Sequence, residues 1–214
     1  MQQNCWLNVS YKYLLTVKIS LIFLFLLCLN QVSAQEEVPV VGDSIFIFRN
    51  LKEAMLSPEK VYRLNLSKTK LDSFPEELLL MTNMVELDLS KNKLEEIPAG
   101  IGKLIHLKRL NLANNKLVHL PDEIGRLTEL EYLGLNRNIL EDIPVTIGSL
   151  SKLEVLELWD NELNTVPDEI GQLGNLRVLE LRGILLSDEE QKRIDSLVVR
   201  SAKIHMSPSC NCKN

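Results

Sequence analysis

Leucines recur along the chain with a fixed step of 23 residues. Leu64 and Leu66 alternate with polar residues, and the same pair returns five more times, ending at Leu179 and Leu181. Because successive side chains of a strand point to opposite faces, each Leu-x-Leu predicts a short strand with both leucines facing a core. Leu71 and its equivalents follow each pair, which indicates that the chain turns while staying in that core.

Polar and turn-forming residues keep the same step. An asparagine after each strand can both donate and accept hydrogen bonds, so it predicts a ladder that satisfies backbone groups buried at the bend. A proline followed by Ile-Gly-x-Leu predicts an outer wall of 3₁₀ or extended turns, where the glycine allows close packing or a positive φ. The positions are Asn92, Asn115, Asn138 and Asn161, then Pro75, Pro98, Pro121, Pro144 and Pro167, then Gly102, Gly125, Gly148 and Gly171.

The segments MVELDLSKNKLEEIPAGIGKL and LEYLGLNRNILEDIPVTIGSL resemble leucine-rich repeats of the 23-residue class with L-P-x-x-I-G-x-L on the outer side. Similar repeats occur in Ras-pathway and plant scaffold proteins, and an export signal would favour a secreted bacterial type. The resemblance covers six repeats over residues 61–186. It implies an α/β repeat solenoid: a horseshoe with a parallel concave sheet, short outer turns or 3₁₀ segments, and helical end caps.

The flanks predict those caps. Residues 45–60 form the N-terminal cap, in which Phe48, Leu51 and Met55 share one helical face before Ser57-Pro58 ends the helix. Residues 187–206 form the C-terminal cap. There Ser187 to Glu190 predicts a capping box that opens a helix, and residues 203–206 predict a closing edge strand.

The first 34 residues predict a cleaved export signal. Lys12 and Lys18 precede an apolar run of 11 residues, 19–29, and Val32-Ser33-Ala34 offers a small-x-small cleavage site. The alternative is a transmembrane anchor, for which the apolar run is short compared with the roughly 20 residues of a bilayer span. Residues 35–44 are then a flexible lead-in and 207–214 a flexible tail. The expected location is outside the cytoplasm, either secreted or in the cell envelope.

Charge and composition narrow the possible partners and chemistry. The net charge is −5, and the chain without residues 1–34 carries −7, which disfavours binding to nucleic acid or insertion into a membrane after signal removal. His106, His119 and His205 lie in no metal-ligand or nucleophile motif, so we expect no enzyme activity, no catalytic residues, no metal and no cofactor. Cys210 and Cys212 in the tail leave a local disulfide or a weak metal site open.

The third, fifth and seventh positions of each repeat are expected to point outward from the concave sheet or to lie at its rim. In the C-terminal half these positions gather aromatic and aliphatic side chains ringed by charge, which favours a protein-binding site. The alternative for the tryptophan is that it only packs on its neighbours. The predicted partner-binding residues are Tyr132, Val155, Trp159, Val178, Glu157, Glu180, Arg137 and Arg182.

The predicted function is therefore non-catalytic recognition of a protein partner by a monomer, through its concave face. Two other functions stay open: a structural or surface scaffold without a discrete ligand, and a cytoplasmic signalling scaffold. A localised binding patch would favour recognition, whereas evenly distributed binding would favour the scaffold.

Overall fold

The computed structural model describes residues 46–208, and the predicted signal, the lead-in and the two tail cysteines lie outside this range. The described residues form a repeating solenoid around one parallel sheet of eight strands, arranged in chain order. The strands are β1 Ile47–Phe48, β2 Arg63–Asn65, β3 Glu86–Asp88, β4 Arg109–Asn111, β5 Tyr132–Gly134, β6 Val155–Glu157, β7 Val178–Leu181 and β8 Lys203–Met206.

The sheet register follows the repeat period. Leu64 pairs with Leu87, and the equivalent leucines stay aligned through Leu156 and Leu179. These leucines are at most 2% exposed, so the sheet rests on one continuous core, as the alternation of leucines predicted. Each added strand buries the leucines of the strand before it, which is why a single repeat is not stable alone.

The outer wall consists of 3₁₀ helices, one in each of the first five repeats, each beginning after the repeat's proline. They span Glu76–Leu80, Ala99–Lys103, Asp122–Arg126, Val145–Ser149 and Asp168–Gln172, and a further 3₁₀ helix, Pro58–Lys60, lies in the N-terminal cap. Close packing explains the glycine within them: a Cβ on Gly125 would lie 2.6 Å from the backbone oxygen of Thr146. Among the described residues only Gly183 is a glycine with positive φ, so the alternative of a left-handed backbone does not apply to this glycine position.

The asparagines form the predicted ladder. The side-chain amide of Asn92 donates to the backbone oxygens of Leu66, at 2.9 Å, and Leu89, at 2.8 Å. Its oxygen accepts from the backbone N–H of Leu71 at 3.1 Å. Each asparagine thus joins two repeats by satisfying groups that the bend would leave unpaired. In the first repeat Thr69 takes this place, and its hydroxyl donates to the Leu66 oxygen at 2.6 Å.

The N-terminal cap differs from the prediction of one helix. Ile47–Phe48 is the first strand of the sheet and pairs with β2, and only Leu51–Ala54 is α-helical (α1). Short apolar runs are compatible with either helix or strand, and here the unpaired edge of β2 favours the strand. Helix α1 begins after Asn50, whose side chain accepts from the backbone N–H of Lys52 at 2.8 Å.

The C-terminal cap contains helix α2, Asp188–Leu197, followed by strand β8. Ser187 accepts from the backbone N–H of Glu190 at 3.1 Å, as a capping box requires. The reciprocal bond is not made, because the carboxylate of Glu190 instead binds Thr165 and Val166 of the fifth repeat and Arg193 of its own helix. The helix is thereby tied to the repeats it covers.

Candidate binding surface

The concave face is built by the outward residues of the strands, which fall into rows across the sheet. In the row of third positions, Tyr132 pairs with Val155 and Val155 with Val178. In the row of fifth positions, Glu157 pairs with Glu180. Strand β8 extends both rows, since Lys203 lies beside Val178 and His205 beside Glu180. All these side chains are half-buried or exposed, as expected for the outward face.

Tyr132 is held in a defined position. Its hydroxyl donates to Glu157 Oε2 at 2.9 Å, and the guanidinium carbon of Arg109 lies 4.4 Å from its ring centroid. A Cβ on Gly134 would lie 2.6 Å from the tyrosine hydroxyl, so glycine at this position makes room for the side chain. Burial, followed by the nearby Glu157 charge, raises the pKa of the Tyr132 hydroxyl well above its usual value of 10, which keeps the donor protonated.

Glu180 is the centre of a second polar cluster. One carboxylate oxygen accepts from Arg182 Nε at 2.9 Å, and the other contacts His205 Nδ1. Its side chain is only 12% exposed, so this carboxylate is less available to a partner than the sequence suggested. The register of β8 against β7 brings the histidine into the cluster.

Trp159 lies half-buried at the rim of the sheet. The guanidinium carbon of Arg137 stands 4.6 Å from the centroid of its ring system, a cation–π arrangement. Arg137 also lies 3.6 Å from Asp160. Both Arg137 and Asp160 have a left-handed backbone, as does this eighth position in every repeat. Its residues are Lys68, Lys91, Asn114, Arg137, Asp160 and Gly183.

The N-terminal half of the concave face is more polar, and many of its groups are already bonded to one another. Arg63 Nε lies 2.7 Å from Glu86 Oε2, and Asn65 donates to Asp88 at 3.3 Å. A shallow depression between these strands reaches Arg109 and Tyr132. A second depression follows the rim from Ser67 to Asn136 and includes Tyr132 and Glu157.

The structure therefore places the eight predicted residues on the concave face or its rim and joins some of them into two bonded clusters. Tyr132 meets Glu157, and Arg182 meets Glu180, while Arg137 covers Trp159. Sequence reasoning left out Arg109, Gly134 and His205. A glycine at a position occupied by Asn, Asp or Glu in the other repeats was the available signal for the special setting of Tyr132.

Possible metal ligands, the histidines and the helix lengths complete the description of residues 46–208. This part of the chain contains no group of three or more His, Cys, Asp or Glu side chains that could hold a metal ion. His106 and His119 are exposed, and His119 lies 3.1 Å from Asp142. Over the same residues, each helix is too short or too polar to cross a bilayer.

Two family models match the repeats. One, described as a leucine-rich repeat, matches residues 82–140, and the other, described as a leucine-rich repeat region, matches residues 121–199. Both fall on the segments whose strands, asparagine ladder and outer helices are described above. The chain is a leucine-rich-repeat protein. No curated protein matches it at a significant level.

Several solved leucine-rich-repeat structures are similar to the chain. A leucine-rich-repeat protein of Leptospira interrogans is 31% identical, with a TM-score of 0.57, over 76% of this chain and 49% of that one. The ectodomain of the Arabidopsis thaliana receptor kinase GASSHO1/SCHENGEN3, solved with CASPARIAN STRIP INTEGRITY FACTOR 2, is 33% identical, with a TM-score of 0.54. The match covers 67% of this chain and 18% of that one. The PEPR1–AtPEP1 structure is 30% identical, with a TM-score of 0.61, over 72% of this chain and 22% of that one.

The leucine-rich-repeat protein described here spans about half of the Leptospira protein and about a fifth of these two receptor chains. The similarity therefore concerns the repeat architecture that these proteins share.

Proposed function

We propose that this leucine-rich-repeat protein is a non-catalytic recognition module that binds a protein partner on the C-terminal half of its concave face. The observation that carries the proposal is the row of Tyr132, Val155 and Val178 on neighbouring strands, with Trp159 at the adjacent rim. The solenoid does not require aromatic or aliphatic side chains at the third position, since the first three repeats place Arg or Glu there, nor a tryptophan at the seventh, where other repeats place Ser, Ala, Asn or Arg. Aromatic anchors surrounded by charge are typical of interface centres.

Tyr132 is suited to be an anchor because it is already ordered. Arg109, Glu157 and the absence of a side chain on Gly134 together hold its ring in place. A partner that packs on this ring loses little side-chain entropy on binding, and such preorganisation favours affinity.

Electrostatics would act mainly on selectivity. Glu157 accepts from Tyr132, and Glu180 is bonded to Arg182 and His205. A basic group of the partner must compete with these contacts, so we expect apolar burial to supply most of the affinity. The remaining charge would guide association and make it weaken with salt.

The comparisons support a protein or peptide ligand. Two similar receptor structures are complexes: one ectodomain holds CASPARIAN STRIP INTEGRITY FACTOR 2, and the other is named as PEPR1–AtPEP1. An export signal in residues 1–34 would place the recognition outside the cytoplasm. N-terminal sequencing of the exported chain tests this part, with Gln35 as the expected first residue and an intact cytosolic chain as the contrary result.

The binding test compares matched double variants of the full chain as baits in a quantitative pull-down. Tyr132→Ala/Trp159→Ala removes two proposed anchors, whereas Ile105→Ala/Val145→Ala removes two exposed aliphatic side chains outside the concave sheet. Circular dichroism first establishes that both variants are folded. We expect at least one partner, identified by mass spectrometry, to be lost with the first variant and kept with the second.

Equal loss of all partners with both variants would contradict a localised site and favour a structural scaffold. Loss with Arg63→Ala/Asn65→Ala, but not with the aromatic variant, would move the site to the N-terminal half.

A further inference from the structure

Five lysines gather on one edge of the first three repeats. Lys68 and Lys91 occupy the eighth position of their repeats, and the other three occupy the tenth position; all five are exposed. This lysine rim consists of Lys68, Lys70, Lys91, Lys93 and Lys116. Equivalent residues of stacked strands are about 4.8 Å apart, so the ammonium groups form a dense positive edge. The whole chain, by contrast, has a net charge of −5.

The lysine rim is little neutralised by the protein itself. Lys116 lies 3.4 Å from Glu95, and the other four lysines form no ion pair within residues 46–208. Asp72, Glu95 and Glu96 follow along the chain toward the outer wall, and Asp88 and Glu157 lie on the concave side, so both sides of the rim carry some negative charge. Like charges at this spacing repel one another, so the cluster does not stabilise the fold.

Backbone conformation does not explain these lysines either. Lys68 and Lys91 have φ values of 61° and 59°, in the left-handed region that disfavours most side chains. Asn114 and Gly183, at the same repeat position, are better suited to that conformation. The backbone at this position therefore does not require lysine.

The lysine rim borders a polar depression on the concave side. Its walls carry hydroxyl and amide side chains together with the carboxylates of Asp88 and Glu157, and Lys68 and Lys91 stand at its edge. The anionic groups of a ligand are therefore favoured at the lysine edge and its hydroxyl groups within the depression. Small residues at the seventh position keep this rim low, in contrast to Trp159 and Arg182 at the same position of later repeats. The small or amide residues that line it are Ser67, Ser90, Asn111, Ala113, Asn114 and Asn136.

We propose that the lysine rim and this depression bind a linear anionic polysaccharide. The ammonium groups lie against its carboxylates or sulfates, and the serine and asparagine side chains hydrogen-bond its hydroxyl groups. Lysine acts as a point charge without the fixed fork of arginine, which suits a polymer recognised by charge density. The depression shares Tyr132 and Glu157 with the proposed protein-binding surface, but the lysine rim lies outside that surface, so the proposal does not rest on the protein partner.

Other polyanions fit these side chains less well. An acidic protein segment would gain little from a depression whose lining is almost entirely polar. Single-stranded nucleic acid is usually held by several stacking aromatic rings, and Tyr132 is the one aromatic side chain in this lining. An anionic membrane would meet the lysine edge but would not enter a concave depression.

Fluorescence anisotropy of the full chain with two labelled probes tests the proposal. A heparin oligosaccharide presents sulfates and carboxylates, and an oligogalacturonate presents carboxylates alone. We expect at least one probe to bind at 50 mM NaCl, and the binding to weaken as salt rises. Lys68→Asn/Lys91→Asn removes two charges while keeping the left-handed backbone, as Asn114 does in the third repeat. This variant should bind about tenfold more weakly.

The control variant Lys103→Gln/Lys192→Gln removes the same charge from an outer-wall 3₁₀ helix and from helix α2. We expect its affinity to stay within about twofold of the unmodified chain, and Trp159→Ala to behave likewise. The proposal is overturned if neither probe binds or if both lysine pairs cause equal loss. Tighter binding of a polyglutamate peptide, a single-stranded oligonucleotide or phosphatidylserine vesicles through Lys68 and Lys91 would also overturn it.

Discussion

The two halves of the concave face share one core and differ in their outward side chains. In the N-terminal half, Arg63 pairs with Glu86, small residues keep the rim low, and lysines crowd its edge. In the C-terminal half, Tyr132 is wedged over Gly134, and a tryptophan replaces the small residues of the rim. Repeat stacking constrains only inward positions, so the outward differences are free to serve binding.

The largest effect we expect is one that does not distinguish the halves. Leu110 lies in the N-terminal half and Leu133 in the C-terminal half, and both are 0% exposed. Replacing either by alanine should cost about 2–5 kcal/mol, because each change leaves a cavity in the same core. Urea unfolding followed by circular dichroism measures both.

The control for this comparison is Lys103→Ala, an exposed change that should stay within about 0.5 kcal/mol. A Leu110→Ala chain as stable as this control would show that the N-terminal repeats are not packed as part of the common core.

A smaller, pH-dependent effect on stability is expected at the C-terminal end of the solenoid alone. Arg193, aided by hydrogen bonds from Thr165 and Val166, lowers the pKa of Glu190 to about 2 from an ordinary 4.5. Because the folded pKa is depressed, this carboxylate stabilises the fold above pH 4.5, and the stabilisation is lost as the pH falls from 4.5 toward 2. Glu190→Gln should cost about 1–3 kcal/mol at neutral pH.

Urea midpoints measured between pH 7 and pH 2.5 check this expectation. The difference between the unmodified chain and Glu190→Gln should shrink as the pH falls through that window. The neighbouring exposed Glu189→Gln serves as the control, since it removes the same charge from the same helix end. A difference that stays constant with pH would assign the effect to packing and not to the ionised carboxylate.

The smallest effect concerns the tyrosine that distinguishes the C-terminal half. The substitution Gly134→Ala would force the Tyr132 hydroxyl away from Glu157, because the added Cβ would lie 2.6 Å from the tyrosine hydroxyl oxygen. The pKa of Tyr132 should then fall toward its usual value of 10, with a stability change below about 1 kcal/mol. NMR titration of ¹³Cζ-labelled tyrosine, assigned with Tyr132→Phe, follows this one group.

Gly174→Ala is the matched glycine control, because a Cβ there would meet nothing within 4 Å. An unchanged Tyr132 titration in Gly134→Ala would mean that the ring is not held over the glycine.

Much of the fold could be predicted from the sequence, but less of the candidate site. The step of 23 residues predicted the strands, the asparagine ladder and the outer 3₁₀ helices. Ser187 predicted the start of helix α2. The strand at Ile47–Phe48 was missed, since two apolar residues carry no period and their pairing with β2 decides their structure.

The candidate site shows the same division. The outward positions followed from the alternation of leucines, and so the eight proposed residues could be assigned to one face. The contacts between these residues could not be predicted, because each contact joins side chains of different strands. Tyr132 bonds to Glu157, 25 residues along the chain, and His205 reaches Glu180 only through the register of β8.

By itself, the sequence determined which side chains face the core, since every inward position meets a copy of itself in the next repeat and must therefore repeat. The tertiary structure decided how the outward side chains combine. Those side chains have no repeated neighbour, and the rotamer of Tyr132, the room above Gly134 and the position of Arg109 depend on cross-strand contacts. A repeating core can be predicted from a local pattern, whereas a binding surface built on it depends on strand register and neighbouring side chains.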